Sequence, residues 1–188
     1  TTVTGEITHY FTVDTQPAGT TTIRAYERGA GEQPDNIEKN AYNYFYIIPE
    51  LYSVTPTQGT VGTVITIEAT GFSSSETVRI AFGTTRTMTL VSANINGSFT
   101  TTLTINVQPF GTTTITGYGN LPEVATRTFK ILPAIWQRTP TSGSVGAIVT
   151  IWGNGYGSAT TVRIDFGATP TVSEVSSTAF GSWTTTFT

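Results

Sequence analysis

His9 is the only imidazole in this 188-residue chain. Any general acid or base working near neutral pH is therefore either His9 or one of the twelve carboxylates. Two later segments match the one around His9 and carry Thr101 and Thr185 at its position. His9 accordingly reads as a tolerated strand residue. None of the carboxylates recurs in register: Glu76 corresponds to Thr160, Asp165 to Ala81, and Glu68 to Trp152. Nothing supports a paired-carboxylate hydrolase. A Gly-x-Ser-x-Gly elbow, a phosphate-cradling loop and a His-based metal spacing are all absent from the sequence. The chain is read as a non-enzyme.

Two weaker chemistries have named residues. Glu32, Asp35, Asn36 and Glu38 cluster beside Gly29, Gly31 and Pro34, and oxygen ligands in a loop can hold calcium. The alternate acidic positions of an EF-hand are missing, so a solvated loop tip is the better reading and calcium the only cofactor considered. Asn96-Gly97-Ser98 fits the acceptor pattern for N-linked sugar. Exposed rows such as Thr100, Thr102 and Thr104, or Thr112 to Thr114, offer hydroxyls for O-linked sugar, although plain strand propensity explains them equally well.

The elements that would carry these residues are written twice. Pro56-Thr57-Gln58-Gly59-Thr60-Val61-Gly62 returns 84 residues later as Pro140-Thr141-Ser142-Gly143-Ser144-Val145-Gly146. Thr77-Val78-Arg79-Ile80-Ala81-Phe82-Gly83 returns as Thr161-Val162-Arg163-Ile164-Asp165-Phe166-Gly167. Gln16-Pro17-Ala18-Gly19 precedes Gln108-Pro109-Phe110-Gly111 by 92, and Phe45 to Pro49 precedes Phe129 to Pro133 by 84. The difference of eight is an insertion in the first copy, between residues 27 and 40. Residues 50–133 are thus one complete module. Residues 1–49 are the C-terminal part of a first, and 134–188 the N-terminal part of a third. The simplest expectation is a window on a longer protein. The alternative is that the broken ends complete one another between molecules by strand donation.

Composition narrows the class. Net charge is −3, only 11% of residues are charged, and the nine Lys and Arg form no run, which argues against nucleic acid as a partner. With no cysteine, disulfides and thiolate metal sites are ruled out. No stretch of about 18 apolar residues could span a membrane. The forty-two threonines alternate with Val, Ile and Phe, as on half-buried strands. Residues 62–69, 77–82 and 98–107 show that period of two, and Asn96-Gly97 is read as a hairpin turn whose glycine needs positive φ.

The expected fold is all-β: small antiparallel sandwiches of immunoglobulin-like type, about seven strands each, lacking the Cys…Trp…Cys of antibody domains. The expected core of the middle module is Ile65, Ile67, Phe72, Val78, Ile80, Phe82, Phe99, Leu103, Ile105, Ile115, Phe129 and Ile131. Short junctions flanked by proline predict a stiff joint and an extended rod. Tyr52 and Trp136 share one repeat position there and are candidates for packing between modules.

Together, Pro-Thr-x-Gly-x-Val-Gly, then Gly-(Phe/Tyr), Val-Arg-Ile-x-Phe-Gly and Gly-x-(Phe/Trp)-Thr-Thr-Thr resemble the IPT/TIG group of immunoglobulin-like domains. More narrowly, they resemble Thr-rich tandem copies in large prokaryotic cell-surface proteins, including surface-layer glycoproteins. The resemblance covers nearly the whole chain and implies an extracellular, cell-surface location and a structural role in a surface layer, fibre or matrix. An adhesin stalk or glycan-binding modules is the alternative. Weakly protected strand edges add lateral association with copies of itself or neighbouring surface proteins. The resemblance gives no ligand, because such folds are scaffolds.

Overall fold

A computed structural model describes residues 8–26, 40–120, 122 and 124–188, and every element among them is a β-strand. Fifteen strands form five sheets. The calcium candidates Glu32, Asp35, Asn36 and Glu38 lie outside the described residues.

The middle of the chain is a two-sheet sandwich. One sheet orders β3 (Glu50–Thr55), β5 (Val64–Thr70) and β8 (Phe99–Thr104) with β5 at its centre. Facing it are β4 (Gln58–Gly59), β10 (Val124–Ile131), β9 (Gly111–Tyr118), β6 (Thr77–Phe82) and β7 (Thr85–Ser92), in that order. All pairs are antiparallel except β4 with β10, where Gln58 and Gly59 run beside Lys130 and Ile131. All twelve expected core residues are buried in one cluster between the sheets. Period-two strands deliver every second side chain to the same face, and β-branched residues fill it.

Three features depart from the sequence expectations. Leu51 and Val54 are both in the core, although three positions apart, because a bulge at Tyr52 shifts the β3–β5 register. Val107 is exposed: β8 ends at Thr104, and the alternation carries on only to the buried Ile105. The turn at Asn96-Gly97 joins β7 to β8, which belong to opposite sheets. It is a crossover and not a hairpin, although Gly97 does have φ +72°.

Glu76 is a buried carboxylate in this sandwich. It accepts the backbone N–H groups of Ser73 and Asn120, each at 2.6 Å, and so ties the loop after β9 to the loop before β6. Glu76→Ala removes both acceptors. Because Asn120 can reach water, the expected cost is about 1–2 kcal/mol, measured by urea denaturation followed by far-UV circular dichroism. Unchanged stability would mean the carboxylate is not holding the loop.

The remaining strands repeat parts of this pattern. β1 (Gly19–Tyr26) and β2 (Asn40–Ile47) form an isolated hairpin, from Gly19 opposite Ile47 to Tyr26 opposite Asn40. They occupy the repeat positions of β9 and β10, and those strands pair the same way, from Gly111 opposite Ile131 to Tyr118 opposite Val124. At the other end, β11 (Ala134–Thr139), β12 (Val149–Asn154) and β15 (Trp183–Phe187) correspond to β3, β5 and β8. A second pair, β13 (Thr161–Phe166) and β14 (Thr169–Ser176), corresponds to β6 and β7. Ser142 and Gly143, the counterparts of β4, form no strand. In the sandwich, β4 exists only through its pairing with β10, and the C-terminal strands have no such neighbour.

Candidate functional site: the joint between repeats

Among the features that recur bond for bond along this chain is the place where one repeat meets the next. The N–H of Ala18, just before β1, donates to the carbonyl of Phe72 at 2.8 Å. The N–H of Phe110, just before β9, donates to the carbonyl of Tyr156 at 2.8 Å. Within each receiving repeat the same residue is fixed from its other side. Phe72 N–H donates to Gly97 O at 3.0 Å, and Tyr156 N–H to Gly181 O at 3.0 Å.

Glycine makes this approach possible. Gly97 and Gly181 both have φ +72°, a region disfavoured for residues with a Cβ. A Cβ on Gly97 would collide with the Phe72 carbonyl and lie 2.9 Å from Pro17 Cα. One on Gly181 would collide with the Tyr156 carbonyl and lie 3.0 Å from Pro109 Cα. Gly71 and Gly155, at φ +74° and +70°, sit directly against the connecting segments, facing the carbonyls of Ile48 and Leu132. Each junction therefore has two attachments, a covalent one through residues 47–50 or 131–134 and a hydrogen-bonded loop. Thr55-Pro56 and Thr139-Pro140, at equivalent positions beyond the junctions, are both cis.

Because the contact is main chain to main chain, side-chain identity is free to change. Ala18 is replaced by Phe110, and Phe72 by Tyr156. The Phe72 ring belongs to the sandwich core, 5.3 Å from Phe99, and Tyr156 packs edge-on against Trp183 at 5.3 Å. Burial raises the Tyr156 hydroxyl above the usual phenol range.

Tyr52 and Trp136 are in neither core. Each occupies the bulge of its first strand and is exposed. Trp136 lines a groove of about 360 Å³ together with Trp152, Trp183 and Val107. Trp183 packs against Gly153, where a Cβ would overlap the indole; the corresponding residues in the sandwich are Phe99 and Ala69. Asn154 Oδ1 and Trp183 Nε1 are buried there without a hydrogen-bond partner among the described residues. Asn96 is exposed, with its N–H donated to Asn94 Oδ1 at 2.9 Å. His9 is exposed and outside any strand. Among the described residues, no three His, Cys, Asp or Glu side chains gather as a metal site. No helix among them is long and apolar enough to cross a membrane.

Sequence reasoning named Tyr52 and Trp136 as candidates for packing between modules and did not foresee the main-chain bonds. The available signal was the recurrence of glycines at 71, 97, 155 and 181 together with Gln-Pro at 16 and 108. No protein-family model matches the chain, and neither does any curated protein.

Proposed function

We propose that this chain is a structural segment of a large extracellular protein. In this reading, IPT/TIG-like immunoglobulin-like modules follow one another as a rod and build a surface layer, fibre or matrix at the cell surface. The observation that carries the reading is the joint itself. Two independent junctions use the same donor, acceptor and glycine positions at offsets of 92 and 84 residues. A chain selected for a pocket has no need to reproduce its junctions, whereas a chain selected for continuity does, because each repeat contacts only its neighbours. Two attachments per junction resist swivelling about a single covalent link. Copies of the same chain or neighbouring surface proteins are the partners in this role.

The test is direct imaging. Electron microscopy of native material is expected to reveal ordered lattices or filaments with a repeat set by the module spacing. Dispersed single particles carrying an enzymatic or receptor domain would sink the reading. If Asn96 is sugar-bearing in that setting, Asn96→Gln lowers the intact mass of native material by one glycan, and no mass change removes the idea.

One observation favours the alternative, glycan-binding modules or an adhesin stalk. All three tryptophans of the chain line the groove beside the second junction, and aromatic faces with nearby polar groups suit sugar rings. Retention on immobilised glycans that is lost in Trp136→Ala would support it.

A further inference from the structure

We propose that the tryptophan groove beside the second junction binds an uncharged sugar ring, stacked on Trp136 and held through its hydroxyls by Asn154 and Trp183. The inference rests on the glycan-binding reading above and deepens it by naming the ligand class and the atoms that meet it. It does not depend on the chain building a layer or fibre.

The groove is particular to the C-terminal repeat. Trp136, Trp152, Gly153, Asn154 and Trp183 stand where the middle repeat has Tyr52, Glu68, Ala69, Thr70 and Phe99. These exchanges act together. Gly153 has no Cβ, and the Trp183 indole takes the space that one would fill. Trp152 replaces Glu68, the one carboxylate on the corresponding face, and none of the described residues lining the groove is charged. A charged ligand would lose its water there without gaining a counter-charge, so the groove suits a neutral one.

A complete repeat leaves this place open. In the sandwich, Tyr52 is 48% exposed, and Ser92, Asn94 and Thr100 are exposed as well. The strands that complete it, β9 and β10, pair within the sheet of β6 and leave those residues uncovered.

Two buried polar atoms indicate the ligand's chemistry. Asn154 Oδ1 is an acceptor and Trp183 Nε1 a donor, and neither has a hydrogen-bond partner among the described residues. Both residues line the groove and are only 7% and 4% exposed. Buried polar atoms are seldom left unpaired, because each costs its desolvation. The corresponding hydroxyl in the sandwich, Thr70 Oγ1, is met within its own repeat by Ser98 Oγ at 3.2 Å, and Phe99 has no polar atom. A hydroxyl group answers both orphans, since it accepts from an indole N–H and donates to an amide oxygen. A proline-rich segment, another guest of aromatic grooves, has no prolyl N–H to offer Asn154 Oδ1. Water answers the polar atoms but not the exposed Trp136 indole, whereas a pyranose brings hydroxyls and an apolar ring face together. Reaching the two atoms takes a side-chain rotation in the groove, a common adjustment on binding. The volume of about 360 Å³ is near the lower end of small-molecule sites, about 300–1,000 Å³, and suits a sugar end better than a long chain.

The experiment is titration of the 188-residue chain with methyl glycosides and short oligomers of glucose, mannose, galactose and N-acetylglucosamine. All three tryptophans line the groove, so their emission reports it directly, and calorimetry gives the affinities of variants. A saturable blue shift at millimolar concentration or below is expected with at least one of these sugars. Trp136→Ala should weaken binding about tenfold. Asn154→Thr, which installs the residue of the sandwich, should weaken it about fivefold. Both variants are expected to keep their circular dichroism spectra, because Trp136 is exposed and Thr70 already occupies the second position in the middle repeat. Tyr52→Ala, on the corresponding face, should change nothing. No saturable response to any of the sugars would overturn the proposal, as would variants that bind like wild type. A polyproline peptide that saturates the emission where sugars do not would make this a peptide groove, and preference for sialic or uronic acids would refute an uncharged ligand. Retention on immobilised glycans that survives both groove substitutions would sink this site and leave the glycan-binding reading standing. Retention on none would end both.

Discussion

Phe82→Ala is expected to destabilise the sandwich by about 3–5 kcal/mol, while Phe166→Ala, at the same repeat position, costs less than about 1 kcal/mol in dilute solution. Phe82 is enclosed by both sheets and meets Phe129, so truncation leaves a cavity whose walls cannot close fully. Phe166 is largely exposed, with the Phe187 ring 5.4 Å away, and removing it exposes little that was not already wet. With a urea dependence of about 2 kcal/mol per molar, the first change lowers the midpoint by roughly 2 M. The two halves can be watched separately, because all three tryptophans lie at or beyond residue 136. Tryptophan fluorescence reports the C-terminal strands and circular dichroism reports the whole chain. Phe82→Ala should move the circular dichroism transition and leave the fluorescence transition nearly in place. Equal losses from the two substitutions would refute the account of which of the two phenylalanines is enclosed.

Gly97→Ala should loosen the first joint and cost about 3 kcal/mol. A Cβ at φ +72° carries roughly 1–2 kcal/mol of backbone strain, and the collision with the Phe72 carbonyl displaces hydrogen bonds worth about 1 kcal/mol each. Gly62→Ala is the control. Gly62 also has positive φ, +90°, but a Cβ there meets nothing within 4 Å, so strain is its only cost. Amide exchange at Ala18 separates the two effects, since its N–H donates to the Phe72 carbonyl across the joint. Exchange should quicken in Gly97→Ala and stay slow in Gly62→Ala. Equal protection in both would mean that the close approach of Pro17 and Phe72 does not hold the joint.

Much of the sandwich was legible because its strands obey one simple rule. Where apolar residues alternate strictly, as at Ile65, Ile67 and Ala69 or at Val78, Ile80 and Phe82, one face must be buried, and no tertiary information is needed to say which. Leu51 and Val54 escaped that rule because a bulge inserts one residue and breaks the parity of β3. Asn96-Gly97 misled for a related reason. The dipeptide specifies a tight turn with positive φ, and it does not say whether the strands it joins share a sheet.

The joint was hidden more deeply. Tyr52 and Trp136 attract attention because large aromatics usually carry contact energy, yet the chain joins its repeats through peptide groups that every residue possesses. The mark left in the sequence is the recurrence of small residues where a side chain would obstruct, and a bare string does not distinguish glycine kept for a turn from glycine kept for a neighbour. By itself the sequence determined the repeat, its period, the strand class and the buried face of the regular strands in the sandwich, since these follow from local alternation. Only the tertiary structure decided that neighbouring repeats meet main chain to main chain, and that the same Phe is enclosed at 82 and exposed at 166. Burial and close approach are set by what arrives from elsewhere in the chain, and local spacing carries no record of that.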